Sequence, residues 1–133
     1  MKKFTLFFML FMFFCYSGHG QVAIGEESNQ LQIMPFKPYY PYNYTQSIYL
    51  ASEINATGVI TSFKWYFSGS SNLTNSQELV IYFGLTNQDA FATQHDFISV
   101  TDMVQVYAGG IVTNGTPGWV TVTLSTPFMD VLI

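Results

Sequence analysis

Between Ser47 and Phe67 (SIYLASEINATGVITSFKWYF) apolar and polar residues take turns at every second position, and this rhythm constrains the chain more than any other feature. Successive side chains of a strand point to opposite faces, so period-2 alternation marks a half-buried strand. Ile48, Leu50 and Ile54 share one parity, and Tyr49, Ala51 and Glu53 the other. Asn55-Ala56-Thr57-Gly58 follows, with two residues that tolerate positive φ. Val59 to Phe67 then puts Phe63, Trp65 and Phe67 on one face and Ser62, Lys64 and Tyr66 on the other. The pattern predicts a hairpin, with a bulge near Ser62 because Ile60 is out of phase.

Further strand signals follow this stretch. Glu78 to Leu85 (ELVIYFGL) is apolar on both parities, which predicts a strand covered on both faces. Phe97 to Val100, Met103 to Ala108 and Ile111 to Thr113 are shorter candidates, and Gln21 to Gly25 is a short first one. Asn114 to Gly118 (NGTPG) is a turn, after which Trp119 to Leu124 places Val120, Val122 and Leu124 on a single face. Ser68 to Gln77 is a polar loop whose one apolar residue is Leu73, and Thr86 to Asp96 is a long connection anchored by Phe91. No segment after residue 20 carries apolar residues at helical spacing over three turns. The expected fold is therefore all-β: an antiparallel two-sheet β-sandwich, jelly-roll-like, over residues 21–133. Its expected core is Leu50, Ile54, Phe63, Trp65, Ile81, Phe83, Val120, Val122 and Leu124.

Residues 1–20 are expected to lie outside that fold, as a signal peptide. Lys2 and Lys3 precede the apolar run Phe4 to Tyr16, and Gly18-His19-Gly20 offers small residues for cleavage before Gln21. A lipoprotein signal ending at Cys15 needs a small residue before the cysteine, and Phe14 stands there. Cleavage removes the only cysteine, so residues 21–133 must cohere by packing without a disulfide. It also leaves Lys37 and Lys64 against eight acidic residues, a net charge of −6, with no arginine. Such a balance opposes nucleic acid or an anionic membrane as partner. The expected location is secreted, extracellular or at the cell surface.

Equipment for catalysis is sparse. His95 is the only histidine after residue 20, and His95-Asp96 beside Thr93 reads as a solvated pair in a polar loop. Zinc would need three or four nitrogen, sulfur or carboxylate ligands at suitable spacing. Asn87, Asp89, Asp96 and Asp102 could supply calcium with oxygen ligands if their loops converged, but their spacing is not that of a calcium loop, and they read as solubilising acids. No cofactor or metal is expected, and no catalytic residue. Asn-x-Thr triplets begin at Asn43, Asn55, Asn72 and Asn114, and an Asn- and Thr-rich chain generates these by chance. The segment Phe36 to Tyr44 (FKPYYPYNY) is broken by prolines, which lack a ladder donor. Its Tyr39, Tyr40, Tyr42 and Tyr44 either cover apolar surface or form a stacking platform for sugar rings. They are the candidate ligand-binding residues.

The succession AIG, PYYPYNYTQSIYLASEI, GVITSFKWYF, LVIYFGLT, DFISV, VQVYAGG and WVTVTLSTPF resembles a β-sandwich module of secreted and cell-surface proteins of Bacteroidota. The resemblance spans about residues 22–128, and the pairing of QSIYLASEI with an ITS-type strand is its most specific part. It implies an extracellular binding or structural module attached to a larger protein, often near its N-terminus and with fibronectin type III or adhesin-like domains and a type IX secretion sorting domain. Together with the export signal, the acidity, the sparse catalytic equipment and the aromatics, the expectation is a non-catalytic module for adhesion or carbohydrate binding. Its partner would be a glycan or an extracellular protein. The alternative is an accessory domain of a secreted hydrolase, a peptidase or glycosidase, with its catalytic part beyond Ile133. Modules of this kind run from the TPF element into a Tyr-Asn-Gly-type turn and a last apolar strand. Here Thr126-Pro127-Phe128 leads to Met129-Asp130-Val131-Leu132-Ile133, so a missing last strand and self-association through the exposed edge are expected.

Overall fold

A computed structural model describes residues 20–25, 42–69, 73, 78–111, 113 and 115–130. Among these residues, strands dominate, and all strand pairing is antiparallel. In chain order they are a helical turn α1 (Ala51–Ile54), strand β1 (Gly58–Phe67), strand β2 (Leu79–Phe83), a 3-10 turn (Val100–Asp102), strand β3 (Val104–Gly109) and strand β4 (Gly118–Asp130). β1 pairs with β4, and β2 pairs with β3, giving two two-stranded ladders.

The expected hairpin is corrected in its first half. Ala51–Ile54 is helical, and the partner of β1 is β4, more than fifty residues further along the chain. A short apolar/polar alternation is compatible with one helical turn, and local hydrogen bonds decide here. Leu50 takes an extended conformation as the N-cap, and its N–H donates to the Glu53 carboxylate at 2.7 Å. Asn55 ends the turn in the left-handed region at φ 43°, its N–H bonded to the Ala51 carbonyl at 2.8 Å. Asn is one of the few side chains that enters this region at small cost. The turn signal at Asn55 was thus real, but it caps a helix. Leu50, 37% exposed, and Ile54, half-buried, lie outside the apolar cluster.

β1 and β4 keep the predicted faces. Phe63, Trp65 and Phe67 point inward opposite a β4 row of Val120, Val122 and Leu124. The irregularity near Ser62 is present, but most of its extra length is in the partner strand. Ile60 lies opposite Phe128 and Ser62 opposite Thr123, so Thr61 faces Leu124 to Pro127. Pro127 has no N–H to offer a ladder, and a break in pairing is where a proline is tolerated in a sheet. Within this break the Ser125 hydroxyl donates to the Val106 carbonyl of β3 at 3.0 Å, which joins the two ladders.

β2 turns Leu79, Ile81 and Phe83 inward, while Val80 and Tyr82 remain exposed. The expectation of cover on both faces fails among the described residues, because an apolar outer parity does not by itself bring a second layer. In β3 the register skips one residue: Ile81 lies opposite Tyr107 and Tyr82 opposite Gln105. The residue left over, Val106, is 0% exposed. Phe97 to Ser99 and the described residues of 21–25 and 111–113 form no strand, and Val100 opens the 3-10 turn.

One apolar cluster receives side chains from both ladders. Leu73, Val106, Ile111, Val122 and Leu124 are buried, and Ile60, Phe63, Trp65, Phe67, Leu79, Ile81, Phe83, Tyr107, Val120 and Phe128 pack against them. Phe83 of β2 is the hinge of the aromatic part, with its ring 5.7 Å from Phe63 of β1 and 5.6 Å from Phe128 of β4. Each such side chain contributes about 1.5–3 kcal/mol when fully buried. Leu73 shows that the polar loop after β1 has a single apolar anchor, held at φ 45°.

Candidate functional site

Because Phe63, Trp65 and Phe67 point into the core, Lys64 and Tyr66 must point out. Because Val120, Val122 and Leu124 point in, Trp119, Thr121 and Thr123 must also point out. The antiparallel register sets Tyr66 opposite Trp119, Lys64 opposite Thr121 and Ser62 opposite Thr123. All six are exposed. The outer face of this ladder is therefore a strip of hydroxyls with an aromatic pair at one end.

The aromatic pair is well defined. The rings of Tyr66 and Trp119 meet edge to face, centroids 5.6 Å apart and planes at 81°. Lys64, diagonal to Trp119, holds Nζ 4.9 Å from the indole centroid. An aromatic pair of this geometry contributes about 0.5–1.5 kcal/mol and an exposed cation–π contact about 0.5–1 kcal/mol. These contacts orient the indole without covering it: Trp119 remains 54% exposed and Tyr66 45%. A shallow groove of about 290 Å³ opens beside the indole, lined by Thr113, Thr116, Pro117, Gly118, Trp119, Val120 and Thr121. The turn before β4, with Gly115 at φ 76°, delivers Trp119 to the rim of this groove.

The tyrosines singled out from the sequence are distributed differently. Tyr39 and Tyr40 lie outside the described residues. Tyr42 is 90% exposed. Tyr44 packs edge-on against Phe97 with centroids 5.1 Å apart, and its hydroxyl accepts from Gln46 Nε2 at 2.6 Å. The Gln46 amide also clasps the backbone of Ile98, donating to its carbonyl at 2.7 Å and accepting from its N–H at 2.8 Å. Tyr44 thus belongs to a contact that fastens the segment before α1 to the segment before the 3-10 turn. Sequence reasoning passed over Trp119, although a signal was available: it is the one aromatic on the outward parity of the cleanest alternating strand.

Two side chains of the loop 86–96 have local partners. The Asp96 carboxylate accepts from the Ala92 N–H at 3.0 Å, while the His95 ring lies beside the Gln94 amide at 3.3 Å. Asp96 therefore stabilises its own loop. Among the described residues no group of three or more His, Cys, Asp or Glu could hold a metal ion, and no helix is long and apolar enough to cross a membrane. No protein-family model, curated protein or solved structure matches the chain significantly.

Proposed function

We propose that the chain is a non-catalytic, extracellular module of the adhesion or carbohydrate-binding type, exported by residues 1–20 and folded over residues 21–133 as a jelly-roll-like two-sheet β-sandwich. The sandwich reading rests on the single apolar cluster fed by both ladders and on the Ser125 to Val106 link between them. The export and surface location rest on the basic and apolar start of the chain and on its resemblance to secreted Bacteroidota modules.

One observation carries the binding reading: Trp119 is held by Tyr66 and Lys64 on a hydroxyl-rich outer face and still exposes about half its surface. An indole in that position costs solvation and contributes little to the core. Sugar rings present C–H faces that stack on such a surface, and their hydroxyls can exchange hydrogen bonds with Ser62, Thr121 and Thr123. Tyr42 extends the aromatic supply elsewhere on the surface. Glycan-array screening of the wild-type protein and of Trp119→Ala, Tyr66→Ala and Tyr82→Ala tests this. Binding should be lost with the first, weakened with the second and kept with the third, which alters the outer face of the other ladder. An array without any bound glycan, or binding indifferent to Trp119→Ala, overturns the proposal.

A further inference from the structure

The outer face of β1 and β4 is also distinguished by its charge. Lys64 is the only lysine or arginine among the described residues, in a chain with eight acidic residues. Its ammonium lies over the exposed indole ring of Trp119, 4.9 Å from the centroid. Between the rung of Ser62 and Thr123 and the rung of Phe67 and Gly118 there is no acidic residue on either strand. The acid of this ladder, Asp130, lies opposite Gly58 on the far side of the register break. Among the described residues of this acidic chain, this face is therefore the place where an anion meets a lysine and an aromatic surface together.

We infer that this face takes uronic-acid residues of an anionic polysaccharide, an assignment that rests on the glycan-binding reading above and names its ligand class. The pyranose ring takes the indole face over which the Lys64 ammonium lies in the free protein, and the ammonium moves on its flexible stem to the rim of that ring, where it pairs with the carboxylate. A carboxylate borne directly on the sugar ring projects from the rim of that ring, so one residue satisfies both partners at once. A sulfate ester sits farther out on an exocyclic oxygen and does not combine stacking and pairing in the same way. The remaining hydroxyls of the sugar meet Thr121 and Thr123 along the strip, whose open outer face leaves room for the neighbouring residues of a polymer.

Affinity electrophoresis of the intact protein in gels containing polygalacturonate, its fully methyl-esterified form, or a carrageenan that carries sulfate but no carboxylate tests the assignment. Wild-type protein should be retarded most by polygalacturonate. Lys64→Gln should weaken binding to polygalacturonate about two- to fivefold more than binding to the ester, the range of an exposed ion pair, because the ester reports only the lost contact between Lys64 and the indole. Lys64→Arg should restore polygalacturonate binding, and Trp119→Ala should abolish retardation by both. Thermal melts of Lys64→Gln and Trp119→Ala show whether each variant is folded under the gel conditions. Equal retardation by the acid and the ester, with Lys64→Gln indifferent, overturns the uronic-acid assignment and leaves the glycan-binding reading standing. Carrageenan binding equal to polygalacturonate binding overturns it in favour of general anion attraction. Absence of retardation by all three polymers overturns the uronic-acid assignment, and the glycan array separately decides the glycan-binding reading.

Discussion

Val104 and Val106 occupy the same parity of β3, and simple alternation gives them equal burial. The register skip separates them: Val106 is 0% exposed and Val104 is 43% exposed. Replacing Val106 by alanine removes two methyl groups from the cluster, a transfer loss of about 1.6 kcal/mol at about 0.8 kcal/mol for each. The neighbours Ile111, Val122 and Leu124 are buried around the same cluster and can only partly collapse, so the residual cavity adds about 0.5–1 kcal/mol. The expected cost of Val106→Ala is therefore about 2–2.5 kcal/mol. Val104→Ala, on the outer surface, should stay within about 0.5 kcal/mol. Urea denaturation followed by tryptophan fluorescence gives both values, and the corresponding fall in Tm for Val106→Ala is on the order of 10 °C. Equal losses at the two positions would refute the register skip, and with it the argument that the extra residue of β3 points into the core.

Other outcomes follow from single contacts. Gln46→Ala removes both hydrogen bonds to the Ile98 backbone and should cost about 1–2 kcal/mol in a chemical melt, whereas Gln46→Glu, which can only accept, should lose the contact to the carbonyl and keep the one from the N–H. Asn55→Ala should lower stability by about 1 kcal/mol, and Asn55→Gly should match or exceed the wild type, since alanine is strained at φ 43° and glycine is not. Acrylamide quenching should resolve two tryptophan populations, and Trp119→Phe should remove the accessible one while leaving Trp65. A single population before substitution would place both indoles in the same environment.

The inward faces of β1 and β4 could be read from the sequence because each runs for several residues in strict alternation with large apolar side chains. Ser47 to Ile54 misled for a physical reason. A strand is completed by a partner, and in seven or eight residues alternation cannot tell whether one exists. Glu53 and Asn55 can close a helical turn locally, with no distant partner, and that is the observed outcome. Val106 was illegible because a bulge changes phase without changing composition, and Ile111 because it is buried without belonging to a strand. The site shows the same division. The outward direction of Lys64 and Tyr66 follows from β1 alone, but their meeting with Trp119 depends on a pairing that joins distant parts of the chain.

The break in the ladder between β1 and β4 bears on how the protein folds as well as on its final shape. Two strands with uniform alternation can slide past one another by two residues and still keep their faces, which gives a folding chain several nearly equivalent traps. Here any slide that matches Ser62 to Phe67 with a new stretch of β4 misplaces Gly58 to Ile60, because the two halves are offset from each other by the segment opposite Thr61. The ladder thus works like a key with two sets of teeth, engaged only in one position. The cost falls on kinetics: both halves must find partners more than fifty residues away in the sequence, and folding should be slow for a domain of this size, with the Tyr66 and Trp119 face assembled only once the correct register has been reached.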